Sequence, residues 1–194
     1  MLKRPLNRLD IVCPTFKAEL NLADCPELLD ATAKLRGTEY RIWPIDRSSS
    51  LNARKATELI AVYFRREFEY DFIQYEAMEP VDPREQVFLI TTKNWEFFND
   101  GHSAVGAVVF RWREYTDAPH QLVLAWIWIH PFLRRQGILS TYWPVFKKLY
   151  GDFHVEAPLS EAMIQFLKKQ KHSKNMSDPT ATVRGRSEAL TPTV

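Results

Sequence analysis

Arg134-Arg135-Gln136-Gly137 stands where an apolar run gives way to an amphipathic one. Upstream, Ala125-Trp126-Ile127-Trp128-Ile129 reads as a strand that stops at His130-Pro131. Downstream, Leu139, Tyr142, Trp143, Phe146 and Leu149 recur at the spacing of one helix face. A helix N-terminus carries partial positive charge and normally recruits Ser, Thr, Asp or Glu. Arg134 and Arg135 have the wrong sign there unless an anion occupies the spot. Unpaired backbone N–H groups, the helix dipole and guanidinium groups together make a phosphate site. Gly137 lets phosphate approach the main chain closely. The turn is therefore expected to dock a phosphorylated ligand; the plainer alternative is a solvated basic loop closed by a glycine turn.

This segment resembles motif A of the GNAT family of acetyl-CoA-dependent acyltransferases. In that family Arg/Gln-x-x-Gly-x-Gly/Ala joins the fourth strand to the following helix. The positions here read Arg134-Arg135-Gln136-Gly137-Ile138-Leu139, with the first Arg and the central Gly matching and Leu139 in the last place. The likeness covers roughly Thr38 to Gln170 and is strongest from Val105 to Lys169. It implies an α+β fold with a mixed, mostly antiparallel sheet flanked by helices, and acetyl-CoA as cofactor. The turn formed by Arg134, Arg135, Gln136, Gly137, Ile138, Leu139 and Ser140 would hold the pyrophosphate. The strand backbone at Ile127, Trp128 and Ile129 would pair with the pantetheine arm. The implied activity is direct transfer of an acetyl group to an amine within a ternary complex, without a metal. The acceptor, small molecule or protein, stays open, as does a homodimer.

Such a transfer needs a neutral amine, a sink for its proton and an acid for the departing thiolate. The family often supplies the acid from a tyrosine on its last helix, within Asn-x-x-Ala-Ile-x-Phe-Tyr. Here the run is Ser160-Glu161-Ala162-Met163-Ile164-Gln165-Phe166-Leu167, so Leu167 replaces the tyrosine and Ser160 the asparagine. Ser160 is expected to hydrogen-bond the thiol sulfur, to cap the helix, or both. Tyr142 is a substitute acid if it does not simply pack with Trp143 and Phe146. Glu156, at the end of a short strand, is a candidate base whose pKa burial would raise toward the working range. His130 is a second candidate base. Each is otherwise a polar strand end. Trp126 and Trp128 share a strand face and either pack in the core or line a groove. Glu67, Glu69, Asp71 and Glu76 form an acidic stretch that suits a cationic acceptor or is a solvated helix face. The missing tyrosine keeps a second reading open, a catalytically silent binder of coenzyme A or of a partner protein. A third would use Lys168, Lys169, Lys171, Lys174, Arg184 and Arg186 on nucleic acid.

The elements that must position these residues follow from patterning. With 194 residues, 45% of them hydrophobic, the chain can bury one substantial core. A net charge of +2 does not argue for nucleic acid or a membrane surface, and no apolar run has transmembrane length. A soluble cytoplasmic protein is expected. Cys13 and Cys25 have no histidine near them, which excludes a zinc-finger spacing; one disulfide is open, and two reduced thiols are the expectation. Cys25 to Leu35 reads as a short helix ended by Gly37, within an N-terminal extension over 1–37. Strands are expected at Glu39–Ile45, Gln86–Thr92, Ala104–Trp112 and Gln121–Ile129, the last two as an antiparallel hairpin. Helices are expected from Leu51 to about Phe72, from Gly137 to Tyr150 with Pro144 inside, and from Pro158 or Ser160 to Lys169. A short strand over Phe153–Glu156 separates the last two. The resemblance implies an acyltransferase-like domain over 38–171, and 172–194 reads as a disordered tail.

Overall fold

A computed structural model describes residues 11–17, 32–79, 82–93, 101–114 and 120–171. Among the described residues seven strands form one sheet. They are β1 (Thr15–Lys17), β2 (Thr32–Leu35), β3 (Thr38–Ile45), β4 (Glu85–Lys93), β5 (Gly101–Arg113), β6 (Gln121–Ile129) and β7 (His154–Val155). The main path runs β2-β3-β4-β5-β6-β7, and β1 pairs on β5. Every pairing is antiparallel except β6 with β7, which is parallel. The chain is thus α+β with a mixed sheet. The helices are α1 (Leu51–Phe68), α2 (Ile138–Tyr150) and α3 (Glu161–Lys169).

Each face of the sheet has its own core. On one, α1 lays Ala53, Ala56, Ile60, Ala61 and Phe64 against Val87, Ala107, Val109, Trp126 and Trp128. The small residues of α1 let its backbone sit close to the strands. On the other face, Tyr142, Trp143 and Phe146 of α2 and Leu167 of α3 cover Ile42, Phe88, Phe110 and Leu124. Ser50 caps α1 by accepting from Ala53 N–H at 3.3 Å. The helix ends at Phe68, short of Phe72, because Glu69 turns left-handed (φ 57°). α2 runs unbroken through exposed Pro144, which forgoes only its bond to the Ser140 carbonyl.

The expected helix ending at Leu35 is not what these residues form. Thr32–Leu35 is a strand paired with β3, joined through Arg36 and Gly37, both with positive φ (50° and 81°). That is a two-residue hairpin turn, whose twist matches the flanking strands. Gly37 therefore closes a hairpin and not a helix. β1 and β2 are strands of the same sheet, and Ala33 is buried in its core, so parts of the expected extension belong to the domain. The rest of the expected short helix, and the expected tail, lie outside the described residues.

Two bulges shape the middle of the sheet. Between β4 and β5 the register slips at Val105; between β5 and β6 it slips at Ala125, since Phe110 faces Leu124 while Val109 faces Trp126. The second bulge exchanges the two faces of β6. Leu124 packs beneath α2 and α3, whereas Trp126 and Trp128 pack beneath α1. Trp126 stacks on Phe64 with ring centroids 5.1 Å apart.

Candidate functional site

The same bulge also exchanges the main-chain edges of β6. Glu156 N–H bonds the Leu124 carbonyl at 3.0 Å, so Leu124 faces β7. His130 N–H bonds the Val105 carbonyl at 2.8 Å, so position 130 faces β5. In an unbroken strand these even-numbered positions would face one edge. The bulge between them leaves Ile127 and Ile129 with main-chain groups turned away from β5. β7 ends at Val155, so among the described residues no strand covers them. Gly106 of β5 allows the close approach opposite this point. A Cβ there would come within 2.6 Å of the Trp128 carbonyl oxygen.

The uncovered half of β6 opens on a cavity of about 510 Å³. The cavity is lined by Ile127, Trp128 and Ile129 from β6, by Arg134, Arg135 and Gly137 from the turn, and by Ile138, Leu139 and Ser140 from the first turn of α2. Ser160 stands at the start of α3, and Phe68, Met163 and Phe166 complete an apolar wall. Of the cofactor residues named from the sequence, Gln136 alone lies outside this lining; its Nε2 donates to the Phe132 carbonyl at 2.8 Å. Arg135 (φ 60°) and Gly137 (φ 96°) are both left-handed. Gly137 caps α2, which has no side-chain cap and no acidic residue in its first turn. The N–H groups of Ile138, Leu139 and Ser140 therefore begin the helix with their dipole unanswered. An apolar trough ending in such a helix start is complementary to a ligand with an apolar stem and an anionic end.

The two arginines part company. Arg135 is exposed at the rim of the cavity. Arg134 is folded back: its Nη1 and Nη2 each donate to Glu67 at 2.6 Å, and its Nε donates to the Ile129 carbonyl at 2.7 Å. Glu67 also accepts from Trp128 Nε1 at 2.7 Å. Arg134 thus meets a carboxylate of the protein itself and does not present a free charge to a ligand. Glu67 is an anchor inside the structure, a role that neither the cationic-acceptor reading nor the solvated-face reading of the acidic stretch describes. Its partners lie 61 and 67 residues away, and no local pattern signals them.

The proton-transfer candidates are also sorted. Ser160 lines the cavity and caps α3, its Oγ accepting from Met163 N–H at 3.2 Å. A hydroxyl that accepts one bond retains its own proton to donate. Tyr142 does not line the cavity. It points from α2 into the core, 1% exposed, and burial holds its hydroxyl far above the ordinary tyrosine range. Glu156 does not line the cavity either. It accepts from Arg113 Nη2 at 2.7 and 3.0 Å and ties β7 to the far end of β5. His130 is buried, its Nδ1 accepting from Phe132 N–H at 3.4 Å. Burial lowers its pKa, a bond to the Ile11 backbone opposes that, and the Arg134 charge lowers it further. Among the described residues lining the cavity there is no Asp or Glu. Met163 and Phe166, unremarked in the sequence, share the cavity-facing side of α3 at helical spacing.

No protein-family model matches this chain, and no curated protein matches it. Among the described residues no helix is long and apolar enough to cross a membrane, and no group of His, Cys, Asp and Glu is placed to hold a metal ion.

Proposed function

We propose that the cavity binds acetyl-CoA and that the chain is a GNAT-like N-acetyltransferase, acting on an amine of a small molecule or protein. The supporting observation is a conjunction. One cavity brings together a stretch of β6 main chain at Ile127–Ile129 that no described strand covers, its Ile129 carbonyl taken by Arg134 Nε, and an uncapped helix start at Ile138–Ser140, at the two ends of an apolar trough. The first would pair with the pantetheine amides. The second, with Arg135, would hold the diphosphate. The sheet order, with β6 and β7 parallel and connected through α2, is compatible with the GNAT arrangement.

Bound there, the cofactor would supply an acyl thioester. The Ser160 hydroxyl, at the cavity wall, would on this reading donate a hydrogen bond to the departing thiolate, which takes its proton from water. The amine proton would go to water, since no carboxylate is among the described residues lining the cavity. The reading places the protein in the cytoplasm and assigns it neither a nucleic-acid nor a membrane partner; a homodimer stays open. One set of observations favours a catalytically silent coenzyme A binder instead. Leu167 is buried, Tyr142 is in the core and Glu156 is held by Arg113.

Calorimetric titration with acetyl-CoA, set against ATP and NAD, tests the cofactor. Saturable binding of acetyl-CoA alone is expected; equal or absent binding removes the reading. Release of free thiol in the presence of assorted amines and peptides then separates transferase from silent binder.

A further inference from the structure

We propose that Glu67 is a positioning residue for the diphosphate turn, acting through Arg134; this rests on the cofactor reading above. The two arginines of the turn differ in backbone and in partners. Arg135 holds a left-handed backbone (φ 60°), a conformation that disfavours any residue with a Cβ. Such a conformation persists only where its surroundings fix it. The surroundings here are the contacts of Arg134. Its Nε grips the Ile129 carbonyl, the last residue of β6, and its two terminal nitrogens grip both oxygens of Glu67. The Glu67 carboxylate is itself held by Trp128 Nε1, and the guanidinium carbon lies 5.7 Å from the Trp128 ring centroid.

Three elements therefore converge on one ion pair: the last turn of α1, the end of β6 and the start of the turn. The pair is partly screened from water, with side-chain exposures of 34% and 24%. A bidentate arginine–carboxylate pair fixes direction as well as distance. Because Glu67 neutralises Arg134, this arginine adds little attraction for phosphate. Its contribution is to set the path of the backbone, so that the N–H groups of the next residues face the cavity before a ligand arrives. Phe68, adjacent to Glu67, lines the same cavity.

Comparing two probes separates this role from general stability. Acetyl-CoA carries the diphosphate; S-acetylpantetheine has the same thioester arm without it and should use only the strand. Glu67→Gln keeps size and the bond from Trp128 but loses the charge. It is expected to weaken acetyl-CoA about tenfold while changing S-acetylpantetheine by less than about twofold. Arg134→Gln should also weaken acetyl-CoA, and the double variant should bind it no worse than the weaker single one. Equal losses for both probes, or no loss for acetyl-CoA, would overturn the assignment. If either Gln variant fails to fold, Glu67→Asp gives the same contrast with the charge retained. Failure of the unmodified protein to bind acetyl-CoA would remove the cofactor reading and this inference with it. Binding that is insensitive to Glu67 would remove this inference alone.

Discussion

The two halves of β6 face opposite circumstances. Val123 and Leu124 sit between β5 and β7, paired on both edges and buried. Among the described residues, Ile127 and Ile129 are paired on one edge only; they are half-buried, with a cavity along the other. The two halves are similar in composition, and the difference arises from two local events. An extra residue at Ala125 reverses the strand's edges and faces, and a partner strand of two residues stops short. The cavity thus runs along main chain from which, among the described residues, a partner strand is withheld.

This comparison can be attacked at several points. The largest effect is expected from Gly137→Glu, which puts a Cβ at φ 96° and a carboxylate at the helix start. Acetyl-CoA affinity should fall by more than about a hundredfold, combining backbone strain with charge repulsion. An unchanged calorimetric titration would detach the turn from the ligand. Gly106→Ala comes next, because its methyl would meet the Trp128 carbonyl at 2.6 Å. A stability loss of about 2–3 kcal/mol in urea is expected, along with weaker acetyl-CoA binding, as β5 and β6 are forced apart. Glu156→Gln acts on the covered half. Losing the charged pair with Arg113 should cost about 1–2 kcal/mol of stability with acetyl-CoA affinity unchanged. A fall in affinity there would erase the distinction between the halves. Ser160→Ala should cost about 1 kcal/mol through the lost cap of α3, and should lower turnover more than affinity.

The smallest effect concerns His130, just beyond the uncovered half. Its folded pKa is depressed, chiefly by burial, so the unfolded chain binds the proton more readily. Its contribution is present above the unfolded value near 6.5 and is lost as pH falls from there through the folded value. His130→Gln should flatten the pH dependence of stability on the acid side of that range, measured by urea unfolding. An unaltered slope would show that another group governs it.

Much of this arrangement was legible because it is local. The strand ending at Ile129, the glycine before α2 and the serine before α3 all follow from periodicity and capping. The antiparallel pairing of β5 with β6 was also expected from the sequence. What was not legible depends on contacts distant in sequence. The Glu67–Arg134–Trp128 anchor spans 61 to 67 residues, and Glu67 looks like any acidic residue near a helix end. The hairpin at Arg36–Gly37 competes with a plausible helix stop, and pairing with β3 decides between them. The bulge at Ala125 has no signature in an apolar run, so the alternation of Trp126 and Trp128 was readable while their side of the sheet was not. Glu156 and Tyr142 had suitable chemistry for proton transfer, but the directions of their side chains are set by tertiary packing.

The central claim is that the uncovered half of β6 and the first turn of α2 receive one ligand together. Amide chemical shifts of the isotopically labelled protein, followed during acetyl-CoA titration, test it most directly. Saturable shifts at Ile127, Ile129 and Gly137–Ser140 that share one dissociation constant, with Val123 and Leu124 still, are the predicted result. Shifts confined to other surfaces, or none at saturating acetyl-CoA, would contradict it.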